Sequence, residues 1–229
     1  MFRGFAVASF ALSLLGAVAL GTPQAHAENA TFYTASYVEV GPVLARVGAA
    51  TLRAYRETGR KSDGVISLEV LQRIDRPNQF VVLGAWADRK TYESHEAAPH
   101  TKALNDKLAT MLVAPVDVRR LSALSHEPTK PSKDPVVVVT HIDVIPTAKD
   151  DAVVALKQLA IDSRKHASNL RFDIGQQIDR PNHFTAVEEW SSRGGFDLHQ
   201  MQRQTRDFRA KLAPVAGALY DERLFKILK

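Results

Sequence analysis

The sequence predicts an α+β fold: two ferredoxin-like βαββαβ domains packed sheet to sheet as an intramolecular pseudo-dimeric α+β barrel. Three observations carry this. The chain repeats with an ungapped shift of 104 positions, so that Ile74-Asp75-Arg76-Pro77-Asn78-x-Phe80 returns as Ile178-Asp179-Arg180-Pro181-Asn182-x-Phe184. The same shift carries Trp86 onto Trp190 and His95 onto His199, and roughly a quarter of paired positions are identical, a period far too long for a solenoid. Finally, the third strand of each copy is apolar at neighbouring positions (Val81-Val82-Leu83 and Thr185-Ala186-Val187). Such a strand needs cover on both faces, which packing the two sheets together supplies.

Each half reads in one order. Tyr33–Val40 and Val136–Val144 are β-branched runs ended by Pro42 and Pro146. Val43–Thr58 and Ala148–Lys165 carry apolar residues at helical spacing, for example Val153, Leu156, Leu159 and Ala160. An alternating strand follows, with Ile66, Leu68, Val70 and Ile74 on one face and Ser67, Glu69 and Arg73 on the other; Leu170, Phe172, Ile174 and Ile178 repeat the apolar face. Arg76-Pro77-Asn78-Gln79 and Arg180-Pro181-Asn182-His183 fit tight turns in which proline presets φ at the second position. The third strands, Phe80–Trp86 and Phe184–Trp190, lead into helices beginning near Asp88 and Ser192, and the last strands run over Asp117–Leu124 and Asp221–Leu228. A Pro- and charge-rich segment, 125–134, separates domains of 31–124 and 135–229.

Arg3, the apolar run Ala6–Leu20 and Ala25-His26-Ala27 read as a secretory signal peptide, 1–27, cut before Glu28. This implies a periplasmic or secreted protein with no membrane attachment after cleavage. Loss of Arg3 lowers the formal charge from +5 to +4. That excess is spread along the chain without basic, aromatic-rich runs, so nucleic acid is not an expected partner. The chain has no cysteine, so the core alone must hold the fold in an oxidising compartment. It also lacks a phosphate-cradling glycine loop, a G-x-S-x-G elbow and a dinucleotide fingerprint.

A βαββαβ unit, a Trp closing its third strand and a His nine residues later resemble the antibiotic biosynthesis monooxygenase superfamily, whose members have the dimeric α+β barrel fold. Trp86, His95, Pro99 and His100 match that family's W…H-x-x-x-P-H pattern. In the second half Trp190 and His199 match, but Arg203 and Gln204 replace the Pro-His pair. The haem-degrading members of the superfamily pair the Trp and His with an Asn on the first strand. Neither first strand here contains one; the nearest polar residues are Tyr37 and His141.

Histidine exchanges protons near neutral pH, which makes His95 the expected base. Trp86 is an aromatic wall and N–H donor, with Tyr37 as a further catalytic candidate. Tyr92, His100, Trp190, His199 and His141 are candidate substrate contacts. The competing readings are structural: the tryptophans as core anchors, His100 as a surface polar residue, and the Arg-Pro-Asn stretches as turns. Asp117, Arg119, Asp221 and Arg223 either pair across the barrel or are solvated. No metal is expected, because His95 and His100 stand five apart with Pro99 between them.

The resemblance implies a cofactor-independent monooxygenase acting on a quinol or polycyclic phenol, with a small aromatic molecule and O2 as partners. Its pocket is expected as a hollow between sheet and helices in each half. The alternative is a non-enzymatic periplasmic protein, stress-related or binding a small molecule such as haem. Beyond the internal pseudo-dimer, further homo-oligomerisation is left open.

Overall fold

The computed structural model describes residues 31–229; the expected signal peptide lies outside the described residues. The first half runs β1 (Phe32–Glu39), α1 (Ala45–Gly59), β2 (Val65–Arg73), β3 (Gln79–Trp86), α2 (Arg89–Glu96), α3 (Pro99–Ala109) and β4 (Asp117–Ser125). The second runs β5 (Val136–Asp143), α4 (Lys149–Arg164), β6 (Asn169–Gln177), β7 (His183–Trp190), α5 (Arg193–Met201), α6 (Arg203–Leu212) and β8 (Asp221–Ile227). The order is the predicted one, except that the second helix of each half is broken in two. Ala98 (φ −70°, ψ 148°) and Gln202 (φ −64°, ψ 145°) are both extended. They are equivalent positions, so the corner recurs in the half without proline.

The recurring Arg-Pro-Asn segments are turns. The N–H of Gln79 donates to the Arg76 carbonyl at 2.9 Å and that of His183 to Arg180 at 2.9 Å. Asn78 and Asn182 brace them by donating to the carbonyls of Val40 (3.0 Å) and Val144 (2.7 Å). That local geometry accounts for their near-identity between the halves.

The strands close into one barrel in the order β1-β3-β2-β8-β5-β7-β6-β4. Packing face to face is completed by hydrogen bonding at the edges, where β2 pairs with β8 (Leu71 opposite Ile227) and β4 with β6 (Leu121 opposite Gln177). Closure removes the four edges that separate sheets would expose. Every neighbouring pair is antiparallel. β1 and β5, four places apart, therefore run the same way, and equivalent residues of the two halves meet at the same barrel end.

Strand alternation sorts the core into three layers. Ala35, Leu71, Val81 and Leu83 of one half meet Val137, Val139, Val187 and Phe225 of the other inside the barrel. Phe32, Leu52, Val70, Phe80 and Trp86 pack between the first sheet and its helices; Leu156, Phe172, Phe184, Trp190 and Phe208 do so in the second. The third strands are buried from Phe80 to Trp86 and from Phe184 to Trp190, which answers their need for cover on both faces. Ile66 (60% exposed) and Ile74 (52% exposed) leave their expected apolar face. A bulge between Val65 and Ser67 turns the first away, and the second lies beyond the strand end.

The interior also holds a buried ionic group. Arg171 reaches Asp173 at 2.6 Å and Glu69 and Glu189 at 3.2 Å each. The positions equivalent to Arg171 and Glu189 are Ser67 and Ala85, so the longer side chains of one half fill space left by the other. The connecting segment is tied down rather than loose. His126 lies 2.9 Å from Asp173, Glu127 3.0 Å from Arg164, and the N–H of Lys130 donates to Leu170 at 2.9 Å.

Candidate active site

In the first half, alternation along β3 puts Phe80, Val82 and Trp86 on the helix-facing side. Asp88 caps α2, its carboxylate accepting the Thr91 N–H at 2.7 Å. The helix so started brings His95 in its last turn against Trp86, with ring centroids 4.6 Å apart. Gly59, ending α1, permits this approach: a Cβ there would stand 3.0 Å from His95 Cε1 and 2.7 Å from Leu68 Cδ2. Four residues earlier on α1, the hydroxyl of Tyr55 lies 2.8 Å from His95 Nε2. Past the corner at Ala98, the Thr101 hydroxyl donates to the His95 carbonyl at 2.7 Å. His100 is turned inward, its ring 4.6 Å from that of His95 and 6.0 Å from that of Tyr55. Tyr92 packs between Phe32 (5.2 Å) and Trp86 (5.5 Å).

This neighbourhood is dry. Trp86 is 2% and His95 3% exposed. Burial first, and then the adjacent His100, pull the His95 pKa from 6.5 down to about 4, so the imidazole is neutral at pH 7. Burial pushes the Tyr55 phenol up to about 12. His95 Nδ1 and His100 Nε2 are buried without a hydrogen-bond partner. Each such orphan costs about 1–3 kcal/mol, which a ligand bearing hydroxyl or carbonyl groups would relieve. In the tautomer whose Nε2–H donates to the Tyr55 hydroxyl, Nδ1 of His95 is a bare lone pair.

The second half keeps the Trp–His contact and the neighbouring threonine, Thr205, but changes other side chains beside the histidine. Trp190 and His199 are stacked at 4.5 Å, but Leu159 and Gln204 occupy the positions of Tyr55 and His100. Burial, then His166 and Arg209, hold His199 at about 4. The Trp190 N–H donates to Glu188 at 3.0 Å, whereas that of Trp86 donates to the Thr34 hydroxyl at 3.1 Å. Burial, then Glu222, push Glu188 up to about 8, which keeps it protonated at neutral pH. Beside it Arg209 and Gln200 bond Glu222 at 3.0 Å each, and Arg209 covers the Tyr220 ring, 5.1 Å from its centroid.

The predicted residues thus fall into three groups. Trp86, Tyr92, His95 and His100 come together, with His100 corrected from surface residue to inward-facing neighbour of His95. Trp190 and His199 form the second group. Tyr37 and His141 belong to neither: odd-numbered residues of β1 and β5 face the barrel interior, the opposite sheet face from the tryptophans. Tyr37 is therefore not a helper of His95. The expected hollow between sheet and helices is filled by the apolar cluster around Leu52, Val70 and Phe80. The most clearly formed cavities lie at the barrel ends and on outer helical surfaces, lined by neither Trp86 nor His95. Sequence reasoning missed Tyr55, Thr34 and Glu188. Only Glu188 carried a signal, as one of two adjacent carboxylates, Glu188 and Glu189, in a buried strand.

The family profile for antibiotic biosynthesis monooxygenase matches residues 45–107 and 135–211, more than half of the chain. No curated protein matches the sequence. Among solved structures, a candidate monooxygenase from Fusobacterium nucleatum superposes with a TM-score of 0.78 at 13% identity, covering 87% of this chain and 93% of that one. A candidate monooxygenase from Lactobacillus acidophilus gives 0.71 at 11% identity, covering 87% and 95%. An anthrone oxidase-like protein gives 0.69 at 11%, covering 88% and 92%. At these identities the likeness is one of fold, extending over both halves. On the strength of the profile match in each half, the chain belongs to the antibiotic biosynthesis monooxygenase family.

Proposed function

We propose that the protein is an exported, cofactor-independent monooxygenase that oxidises a quinol or polycyclic phenol with O2, and that its first half carries the chemistry. The observation that supports this most is the Trp86–His95–Tyr55–His100 cluster, with two unpaired imidazole nitrogens in a water-poor aromatic setting. His95 takes the phenolic proton through Nδ1, and Tyr55 holds the ring at Nε2. Trp86 and Tyr92 pack directly on each other at 5.5 Å, so a planar substrate must part these rings to reach His95. The phenolate gives one electron to O2, the radical pair joins to a peroxide at ring carbon that takes the proton back from His95, and loss of that carbon's C–H proton with the outer O–H releases one water. One O2 is consumed, one oxygen atom is retained in the quinone, and one water is released.

The magnitudes narrow the substrate. Moving a proton from an ordinary phenol of pKa about 10 to an imidazole at about 4 is uphill by about 8 kcal/mol. Pairing the two ions in a dry site recovers part of this. Polycyclic phenols and hydroquinones, whose anions are delocalised, fit the site better than simple phenols.

Oxygen uptake by the purified protein with a polycyclic hydroquinone tests the reading; uptake no faster than without protein contradicts it. The second reading, a non-catalytic binder of small molecules, draws on the near-complete burial of Trp86 and His95. It gains if an aromatic ligand binds without turnover, and a Soret band on titration with hemin would make that ligand haem.

A further inference from the structure

One leucine of the first half has no counterpart in the second. Leu44 precedes α1 and packs against the cluster that contains Leu108 and Met111, at and just past the end of α3. The shift of 104 places Ala148 at its position, ahead of α4, with Leu212 and Val215 for Leu108 and Met111. The backbone is alike at the two sites: Leu44 has φ −97°, ψ 4° and Ala148 φ −95°, ψ 4°. The outer carbons of one leucine are therefore missing from an otherwise equivalent helix junction.

The neighbouring exchanges do not close the gap. Phe208 stands for Leu104 and Ala152 for Gly48, but Val215 and Ala155 are smaller than Met111 and Thr51. What remains between α4 and the end of α6 is a groove of about 250 Å3, walled by Ala148, Ala152, Ala155, Phe208, Leu212 and Val215. An exposed carboxylate, Asp151, and an exposed ammonium, Lys211, complete its lining. A dry cavity of about 150 Å3 lined by aliphatic and aromatic side chains holds benzene, so this groove has room for roughly six to ten carbons.

We infer that the groove binds a neutral apolar molecule of that size, its hydrocarbon body occupying the space that Leu44 fills in the first half. The carbon walls favour removal of apolar surface from water. Asp151 and Lys211 cancel in charge, so neither an anion nor a cation gains net Coulomb attraction, whereas a single hydroxyl can bond to either. The site is separate from the Trp190–His199 pair. It lies at the start of α4, while His166, 5.6 Å from Trp190, follows the end of that helix. The 16 residues of α4, about 24 Å of helix, stand between them.

Isothermal titration with 1-octanol as probe tests this, and it reads binding without turnover, so failure of the monooxygenase reading leaves it standing. The expected result is saturable one-to-one binding, tighter than that of octanoate or octylamine, which share the chain but carry a charge. Ala148→Leu restores the first-half side chain on a backbone that already suits it. It is expected to weaken octanol binding at least tenfold and to melt no lower than the unaltered protein. If it does melt lower, Ala155→Met, at a half-buried position, narrows the same groove and is expected to give the same loss. Absence of saturable octanol binding, a charged probe binding as tightly as octanol, or unchanged affinity in the folded variant overturns the proposal.

Discussion

Glu188 accepts the indole N–H of Trp190 at 3.0 Å from the strand position that Gly84 occupies in the first half. The exchange is reciprocal. Where the second half has Glu188, its first strand offers Val138; where the first half has Gly84, its first strand offers the Thr34 hydroxyl, 3.1 Å from Trp86 Nε1. Each buried indole keeps one acceptor, supplied from a different strand. The two tryptophans are thus oriented differently, although the sequence aligns them.

Gly84 is the side of this exchange that tolerates nothing larger. A Cβ there would stand 2.5 Å from Trp86 Cζ2 and 2.7 Å from the Thr34 hydroxyl. Gly84→Ala is expected to push the indole off Thr34 and lower stability by about 1–3 kcal/mol. Urea denaturation followed by tryptophan emission measures both effects; an unchanged midpoint contradicts the geometry.

The pH dependence of stability has opposite slopes on two sides of a maximum. His95, His141 and His199 are held at about 4 against an ordinary 6.5. Between those values the unfolded chain binds the extra protons, so stability rises with pH and is lost on acidification through that window. Glu188 is raised to about 8 from 4.5, so between those values the folded state holds the extra proton and stability falls as pH rises. Below pH 6.5 the three histidines set the slope; above it the raised carboxyls remain, Glu188 with the large shift and Glu96 and Glu189 also raised by burial. Melting temperature is expected to peak near pH 6.5, and Glu188→Gln to flatten the decline from there to pH 8. A decline unaltered in that variant contradicts the assignment.

Arg171 sits among Glu69, Asp173 and Glu189, joining the two halves inside the barrel. Arg171→Met leaves Glu69 and Glu189 without their cation, while Asp173 keeps His126 and Arg164, and is expected to cost about 3–5 kcal/mol. Chemical denaturation reads the loss directly. A change below 1 kcal/mol would mean that water, not this arginine, satisfies the carboxylates.

The duplication made the fold legible. Two aligned copies showed where strands, turns and helices recur, and the doubly apolar third strand required a partner sheet. The barrel was legible, but which edges pair was not, because backbone pairing of β2 with β8 and β4 with β6 leaves no compositional trace. The site was legible only in part. Trp86 and His95 recur in the second half and match the family pattern, which pointed to them; His100 matches that pattern in the first half alone. Tyr55 lies 40 residues before His95 with leucine at its repeat position, and only tertiary packing brings it in. Tyr37 misled because a strand residue's face depends on parity, and β1 places threonine, not tyrosine, on the tryptophan side.

Removing the Tyr55 hydroxyl isolates its contribution. Tyr55→Phe leaves His95 Nε2 buried and unpaired, which is expected to cost about 1–3 kcal/mol of stability and to lower kcat without a matching rise in KM. A change in KM alone would make Tyr55 a substrate contact rather than the residue that holds the imidazole.

The most direct measurement compares His95→Ala with His199→Ala in oxygen uptake on a polycyclic hydroquinone. The two histidines occupy equivalent, equally buried positions, 3% and 2% exposed, so each controls for the structural effect of the other. With His95 as the base, its loss lowers kcat by about 10²–10⁴-fold, while the His199 variant retains the rate of the unaltered protein. Equal losses in the two variants, or full activity without His95, would contradict the account.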